Sequence, residues 1–475
     1  MSVEAWTVRT APDRLSPAER AARGKAARAE VPRESHAAFD PPTGRPDPVA
    51  LLEEQGRSRI PELVPLRYGR MLASPFSYFR GAALPMAADL ATTPDSGLTV
   101  QACGDAHLSN FGLYASPERK LLFDVNDFDE TLPGPWEWDV KRLAASLEVA
   151  ARGNGFVRKD RRTIVQAAAG GYRRAMRRLA AANNLEVWYT DVDIEGFRQE
   201  FAERLSARQR KTLDKVFAKA RGHDSKQALD KLCALQGGTL RIVADPPLVV
   251  PLADLLPDQL DQAVVETELH RLTGEYARTL QSDRRVLLEE FDVVDIARKV
   301  VGVGSVGTRC WIVLLLGRDQ SDPLFLQVKE AQTSVLSPYL GASKYANQGE
   351  RVVAGQRLMQ AASDIFLGWL RLRGLDGEYR DFYFRQLRDW KFSAPVEGMI
   401  PHGMRTYAEL CGGTLARAHA RSGDRIAIAT YLGGSDVFDR AIADFAAAYA
   451  DQNERDYQAL TEAAASGRIT AERGV

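Results

Sequence analysis

Three polar residues that could do chemistry, Asp105, His107 and Asn110, lie within the segment VQACGDAHLSNFGLY, between two apolar runs that predict strands. A turn, ASPER, and a second predicted strand, KLLFDVNDFDE, follow, with Asp127 near the end of that strand. If the strands on either side of the turn pair as a hairpin, Asn110 and Asp127 meet at its open end. An acid, an imidazole, a carboxamide and a second acid would then share one small region.

Asn110 and Asp127 side by side would supply an amide oxygen and a carboxylate, hard ligands that suit magnesium bound to phosphate oxygens. Asp105 would lie close enough to accept a proton from an attacking hydroxyl group. Metal ligands and a base are the groups that phosphoryl transfer requires. Each residue taken alone is more often a turn cap or a hydrogen-bonded core residue, but their joint placement favours the functional interpretation.

A glycine-rich segment, GVGSVG, places Gly302, Gly304, Ser305 and Gly307 in a Gly-x-Gly-x-x-Gly pattern. A dinucleotide-binding fold needs a helix directly after such glycines, whereas TRCWIVLLLG predicts a strand. Strand, glycine loop and strand are typical of the loop that covers ATP phosphates in kinases. Lys329, in FLQVKEA on the next predicted strand, would contact those phosphates, although many lysines of small sheets are simply solvated edge residues.

Two further assignments depend on this kinase-like interpretation. Glu350, on the helix predicted after Lys329, could orient the lysine, with Glu330 and Glu289 as alternatives. Backbone groups near Leu387 and Arg388, after the apolar segment DFYFRQL, would hold the adenine ring.

The motifs GDAHLSN and VNDFDE resemble the catalytic loop and metal-binding segment of aminoglycoside phosphotransferases and choline kinases, members of the protein-kinase-like superfamily. The resemblance implies that Asp105 is the catalytic base and that Asn110 and Asp127 bind magnesium. It also matches His107 to the loop histidine and includes Asp129 in the metal segment.

Longer motifs carry a narrower resemblance. WEWDVKRLAASL resembles the helix whose aspartate, here Asp139, anchors the catalytic loop. Together with RYGRMLASPFSYFRGAA, GDAHLSNFG, VVGVGSVGTRCW and RQLRDWK, it identifies the chain as a member of the domain of unknown function 2252 family of bacterial proteins. This family supplies no substrate.

The order of the motifs is unusual, because the glycine loop and Lys329 follow Asp105 by about 200 residues instead of preceding it. We therefore expect an α+β, two-lobed protein-kinase-like fold that is circularly permuted, with a large helical lobe and a small antiparallel-sheet lobe. The permutation predicts that Lys329 lies beside Asp127. In the alternative, residues 285–390 form a separate sheet domain, and Arg80 in PFSYFRG supplies a phosphate contact.

The predicted organisation has four parts. Residues 1–48 form an extended N-terminal arm, and residues 49–235 form the helical lobe with the catalytic loop and metal-binding hairpin. Residues 236–395 form the small sheet lobe, and residues 396–475 form helices that pack on the helical lobe.

Composition limits the classes of partner. Lysine plus arginine equals aspartate plus glutamate, at 63 each, so no net charge attracts nucleic acid or a membrane surface. The four cysteines match no zinc spacing and predict reduced thiols in a cytoplasmic protein. The longest apolar run, WIVLLL, is too short to span a bilayer.

These features predict a phosphotransferase that uses ATP and magnesium to phosphorylate a hydroxyl group of a small molecule or protein. Three alternatives remain open: a nucleotide-binding pseudokinase, an enzyme that transfers AMP, and a nucleic-acid-binding scaffold that uses the basic stretch 158–178.

Overall fold

The computed structural model describes residues 15–474, except residues 195, 197–213, 216, 257–261, 375 and 388. This part of the chain is a mixed α+β structure of many helices and small antiparallel sheets. Among the described residues, each helix is too short or too polar to span a lipid bilayer.

The helices, in chain order, are α1 (Pro17–Glu30), α2 (Pro48–Gly56), α3 (Val64–Met71), α4 (Pro75–Gly81), α5 (Ala83–Leu90), α6 (Trp136–Gly153), α7 (Arg158–Ala181), α8 (Asn184–Tyr189), α9 (Ser225–Leu232), α10 (Gln262–Ala277), α11 (Ser282–Glu289), α12 (Ser337–Leu340), α13 (Gln348–Met359), α14 (Pro401–Ser422), α15 (Arg425–Leu432) and α16 (Val437–Ala465).

The strands are β1 (Thr99–Ala102), β2 (Phe111–Ala115), β3 (Leu121–Val125), β4 (Leu132–Pro135), β5 (Cys233–Gln236), β6 (Thr239–Ile242), β7 (Val249–Pro251), β8 (Asp292–Lys299), β9 (Cys310–Leu316), β10 (Pro323–Glu330), β11 (Gly368–Arg373) and β12 (Tyr379–Gln386). Six of them form one antiparallel sheet in the order β11-β12-β10-β9-β8-β7, and the others pair in twos, as β1 with β4, β2 with β3, and β5 with β6.

The helical body is built around α7 and α14, which pack along their lengths with α6 and α16 beside them. Gly412 allows the close approach of the two helices, because the backbone of Ala168 fills the place of a Cβ atom there. A buried ion pair between Arg417 of α14 and Asp124 of β3 joins this body to the hairpin. The chain after residue 400 therefore completes the body that residues 136–181 begin.

Two nested antiparallel pairs position the polar loops. In the inner pair, β2 faces β3 with Phe111 opposite Val125, and in the outer pair, β1 faces β4 with Ala102 opposite Leu132. The loops 103–110 and 126–131 therefore emerge at the same end of both pairs. This arrangement contains the hairpin expected from the sequence.

The six-stranded sheet carries the second group of motifs. The glycine loop, residues 300–309, joins β8 to β9, and Lys329 lies near the end of β10. Helix α13 follows β10 and packs mainly against β11 and β12. Aromatic and aliphatic side chains of β10 and β12 form a core with α10 and α11 on one face of the sheet.

The N-terminal segment differs from the extended arm that was expected. Pro17–Glu30 form a helix because Ser16 and Glu19 make a reciprocal capping box at its start. This helix packs against α15, where Gly24 lies directly on the backbone of Ala427. The charged composition reflects its exposed side rather than an extended conformation.

Candidate active site

Asp139, in the first turn of α6, holds the loop that carries Asp105. Its carboxylate accepts the backbone N–H groups of Cys103 and Gly104 at 2.6 and 2.9 Å. It also contacts Nε2 of His419, on α14, at 3.0 Å. Because Asp139 is 1% exposed, these contacts satisfy a carboxylate that water cannot reach. The expected anchoring of the loop by Asp139 is therefore present.

Asp105 is held by an arginine that sequence reasoning did not identify. Arg142, one turn after Asp139 on α6, lies 2.7 Å from Oδ1 of Asp105. Burial raises the pKa of Asp105 above its ordinary value, and the Arg142 guanidinium opposes this rise. The imidazole of His107 is 3.9 Å from Asp105, and burial lowers the pKa of His107 well below its usual range. His107 is thus a neutral neighbour of Asp105, and its Nδ1 accepts the N–H of Ser109.

Asn110 and Asp127 lie at the same end of the inner hairpin, as the sequence predicts. The backbone N–H of Asn126 donates to Asn110 at 2.8 Å, which places Asp127 one residue beyond that bond. The Asn110 amide nitrogen donates to the carbonyl of Asp105, so its Oδ1 is the atom available to a cation. Burial and the neighbouring Asp129 raise the pKa of Asp127. A buried carboxylate with a like charge beside it gains stability from a bound cation.

Asp129 occupies a different position from the metal ligand expected by resemblance. Its Oδ2 lies 2.5 Å from Nζ of Lys329, and its Oδ1 accepts the hydroxyl of Tyr383 at 2.5 Å. Although burial works against ionisation, Lys329 and Tyr383 hold the pKa of Asp129 below its ordinary value. Both carboxylate oxygens therefore already have partners within the chain.

Lys329 is 2% exposed and reaches the loop from the sheet. Its ammonium is 4.0 Å from Oδ2 of Asp127 as well as 2.5 Å from Asp129. Burial opposes its charge, but the two aspartates raise its pKa well above the ordinary value. The predicted proximity of Lys329 to Asp127 is confirmed.

Glu350 is not the residue that orients Lys329 in this structure. It lies in the first turn of α13, where Asn347 caps its backbone N–H, while Asp129 and Tyr383 hold the lysine. The next residue, Arg351, is 1% exposed and donates to the backbone carbonyls of Asp129 and Thr131. Because α13 packs on β11 and β12, Arg351 rather than Glu350 reaches the metal-segment loop.

The glycine loop lies over α4 and is bonded to the N-terminal part of the body. Gly302 and Gly307 adopt φ angles of +65° and +86°, which a residue with a side chain rarely adopts. Arg70 donates to the carbonyl of Gly302 at 2.8 Å, and the N–H of Ile60 donates to Gly307 at 2.8 Å. A Cβ atom on Gly304 would lie 3.0 Å from the carbonyl oxygen of Arg80, so the loop and α4 are in contact.

A cavity of about 830 Å³ brings these elements together. The body contributes the loop residues and the α4 arginine, and the sheet contributes the tip of the glycine loop. Its walls include Asp105, Asp127, Asp129, Arg80, Gly304 and Ser305. Residues that are about 200 positions apart in the chain therefore face one space, as the order of motifs requires for a single site.

Of the two residues expected to hold adenine, Leu387 has its backbone N–H bonded within the sheet, and the other is not among the described residues. The backbone N–H of Leu387 donates to Phe325 at 2.9 Å within the sheet, and Arg388 lies outside the described residues. Arg385, just before it, donates to the carbonyl of Asn126 and to Gln327. These contacts join β12 to the loop that carries Asp127.

Four of the eight basic residues in the stretch 158–178 form ion pairs with acidic neighbours. Ion pairs join Arg161 to Glu148, Arg162 to Asp444, Arg173 to Asp439, and Arg174 to Glu409. These pairs reduce the free positive charge that this helix could offer to a nucleic-acid backbone.

The donor set fits magnesium better than a transition metal. Among the described residues, no group of three or more His, Cys, Asp and Glu side chains is arranged to hold a metal ion. The Asn110 oxygen and the Asp127 carboxylate are a two-ligand oxygen set, and magnesium commonly combines one or two protein ligands with phosphate oxygens and water.

The family described as "Uncharacterized protein conserved in bacteria (DUF2252)" matches residues 59–463. This chain belongs to the DUF2252 family. The match covers Asp105, Asp127, the glycine loop and Lys329, and it includes all residues that line the cavity except Glu54, Gln55 and Ser58. No curated protein and no solved structure matches the chain.

Three residues at the site of this DUF2252 protein were not predicted from the sequence: Arg142, Tyr383 and Arg351. For the first two, a pattern in the sequence could have indicated them. Arg142 lies three positions after Asp139, so the two side chains share one face of α6. Tyr383 lies opposite Lys329 across the β10–β12 ladder, in a run of three consecutive aromatic residues, Phe382, Tyr383 and Phe384. No local pattern marked Arg351, whose role depends on the packing of α13.

Proposed function

We propose that this protein is a circularly permuted, kinase-like phosphotransferase that moves the γ-phosphate of ATP to a hydroxyl group with magnesium. The observation that carries the proposal is that Asp105, Asp127 and the glycine loop line one cavity, while Lys329 lies 4.0 Å from Asp127. The chain order within the sheet supports the permutation. The glycine loop joins two successive strands, the lysine lies on the next strand, and a helix follows it.

Asp105 is the proposed base. Its carboxylate lines the cavity, and burial raises its pKa, which makes it a better proton acceptor than an exposed aspartate. Arg142 fixes the orientation of Asp105 through its Oδ1 atom. The other oxygen, Oδ2, remains to accept a proton from an acceptor hydroxyl group.

Asn110 and Asp127 are the residues that would hold magnesium. When bound, the ion would neutralise charge on the phosphate oxygens. Lys329, kept in place by Asp129 and Tyr383, would donate hydrogen bonds to phosphate oxygens from the sheet side. Asp129 thereby takes the orienting part that the sequence assigned to Glu350.

The direct test has two parts. Purified protein should unfold at a higher temperature with magnesium and ATP together than with either alone, and ligand at about a hundred times its dissociation constant should add about 2.7 kcal/mol to the free energy of unfolding.

Incubation with ATP labelled at the α- or the γ-phosphate then identifies the transferred group. Transfer of γ label supports the proposal, transfer of α label indicates AMP transfer, and binding without any transfer indicates a pseudokinase. No thermal shift with millimolar magnesium and ATP would contradict nucleotide binding altogether.

A further inference from the structure

Two arginines in the cavity lack the acidic partners that buried arginines ordinarily have. Arg59, just after α2, is 5% exposed, and its side chain lines the cavity. One terminal nitrogen donates to the carbonyl of Val306 in the glycine loop, and Nε has no hydrogen-bond partner among the described residues. Burial lowers the pKa of Arg59 to about 10, with Glu130 and Glu330 acting on it only from a distance.

Arg80, on α4, is the second arginine without an acidic partner. Its Nε is buried without a partner, and the rest of its guanidinium forms no hydrogen bond or ion pair with a described residue. Burial lowers its pKa, and Asp105 is the acid that most opposes this. Arg80 therefore presents an uncompensated charge on the same wall as the proposed base.

Several acids of the cavity already have a positive group beside them, including Asp127, which lies 4.0 Å from the Lys329 ammonium. Three of them have basic partners, in the pairs Asp105–Arg142, Asp129–Lys329 and Glu330–Arg309. Burial raises the pKa of Glu130 to about 7, and its Oε2 accepts the N–H of Val335. Glu54 is exposed at the rim. Since a buried charge without a counter-ion is costly, the two arginines favour an anion from outside the chain.

The size and walls of the cavity define the kind of molecule that would bring this anion. A volume of about 830 Å³ lies within the range of small-molecule sites. Five hydroxyl-bearing residues also line the cavity: Ser58, Thr333, Ser334, Ser337 and Ser343. These groups suit a small polar molecule with several hydrogen-bonding atoms rather than a folded protein surface.

We infer that the acceptor is a small phosphorylated molecule with a free hydroxyl group, whose phosphate binds between Arg59 and Arg80. This inference rests on the proposed function. Two guanidinium groups match the charge of a phosphate dianion, and their planar donors suit its oxygens. Because Asp105 lines the same cavity as both arginines, a hydroxyl group of the same molecule would be able to reach it.

The test measures binding of inorganic phosphate by calorimetry, with magnesium and a non-hydrolysable ATP analogue at saturation. Wild-type protein should bind phosphate, and Arg59→Gln and Arg80→Gln should each weaken this binding at least about tenfold. Arg162→Gln, which removes an exposed arginine paired with Asp444, should bind phosphate like the wild type. Arg59→Lys keeps the charge and should fall between Arg59→Gln and the wild type.

Two results would overturn the inference. If both glutamine variants bind phosphate like the wild type, the arginines form no anion site. If the saturating analogue abolishes phosphate binding, the two arginines belong to the triphosphate and the acceptor is not defined by them. If Arg59→Gln does not fold, Arg80→Gln decides the question, because Arg80 forms no hydrogen bond with a described residue. Phosphate binding that depends on the arginines, in a protein that binds no nucleotide analogue, would leave the anion site standing and reject the proposed function.

Discussion

The ammonium of Lys329 lies 2.5 Å from the carboxylate of Asp129, and 200 residues of chain separate the two. This ion pair joins the six-stranded sheet to the loop that also carries Asp127. The Lys329 side chain is shielded from water at 3% exposed, whereas the Asp129 side chain is 25% exposed and lines the cavity. Their pairing therefore contributes to the relative placement of sheet and body as well as to the charge of the site.

Replacing Asp129 with asparagine should destabilise the fold. Lys329 would keep Asp127 at 4.0 Å but lose its closest counter-charge, and breaking one side of a buried pair costs about 3 kcal/mol. The double variant Lys329→Met/Asp129→Asn should be more stable than the sum of the single losses by about 1 kcal/mol or more. Urea unfolding of all four proteins measures this coupling. Additive losses would show that the pair does not couple sheet and loop.

Asp105→Asn and Asp127→Asn should separate catalysis from binding. Asp105→Asn should keep the affinity for magnesium and ATP while phosphate transfer falls about 10²- to 10⁴-fold, since the base acts on the acceptor. Asp127→Asn should weaken nucleotide affinity by about tenfold in a magnesium-dependent way, because a charged ligand is lost. Calorimetry with and without magnesium tests both variants. Unchanged binding by Asp127→Asn would remove Asp127 from the ligand set.

Replacing Asp139 with asparagine should loosen the catalytic loop. The carboxylate accepts two backbone N–H groups and contacts His419, and an asparagine cannot reproduce an acceptor at both oxygens. We expect a loss of about 2–3 kcal/mol in unfolding free energy and reduced transfer activity. Asp451→Asn is the matched control, because Asp451 forms an exposed pair with Arg152 and should cost less than about 1 kcal/mol. Equal effects of the two changes would contradict the anchoring role.

His36 should make the fold sensitive to acid. Burial, followed by the charge of Lys141, lowers the pKa of His36 to about 3, and its Nε2 contacts the Tyr431 hydroxyl at 2.6 Å. A histidine that stays neutral in the fold stabilises fully above its unfolded pKa of about 6.5, and this contribution is lost as the pH falls from there towards 3. Between pH 7.5 and 4.5, His36→Gln should therefore lose about 2–3 kcal/mol less stability than the wild type. Parallel losses in the two proteins would show that His36 titrates normally.

The sequence predicted two relationships at the candidate site: the proximity of Lys329 to Asp127 and the hairpin that brings Asn110 near Asp127. In the proposed function a triphosphate and its metal ion would face both Asp127 and Lys329, so the motifs predicted the proximity of the two residues, which the structure shows at 4.0 Å. The hairpin that joins Asn110 to Asp127 was likewise predictable, because a turn lies between two short apolar runs. Both predictions depended on local patterns whose meaning does not change with tertiary structure.

The assignments that depended on helix orientation were less successful. Glu350 and Arg351 are adjacent in sequence, and the packing of α13 on β11 and β12 determines which of them reaches the loop. Asp129 became the partner of Lys329 because Tyr383 and the lysine converge on it from neighbouring strands. Such choices are made by tertiary contacts that a single sequence does not encode at fixed spacing.

The contact between His419 and Asp139 spans 280 residues and has a consequence for biosynthesis. When the loop around Asp105 leaves the ribosome, neither α14 nor the lysine strand has been translated. At about 5–20 residues per second, the nascent chain waits on the order of tens of seconds before these partners appear. During that time Asp105 can already pair with Arg142, whereas Asp129 lacks Lys329 and Asp139 lacks His419. A nascent chain that ends before residue 419 therefore cannot form the complete loop support, and final assembly of the site follows translation of α14.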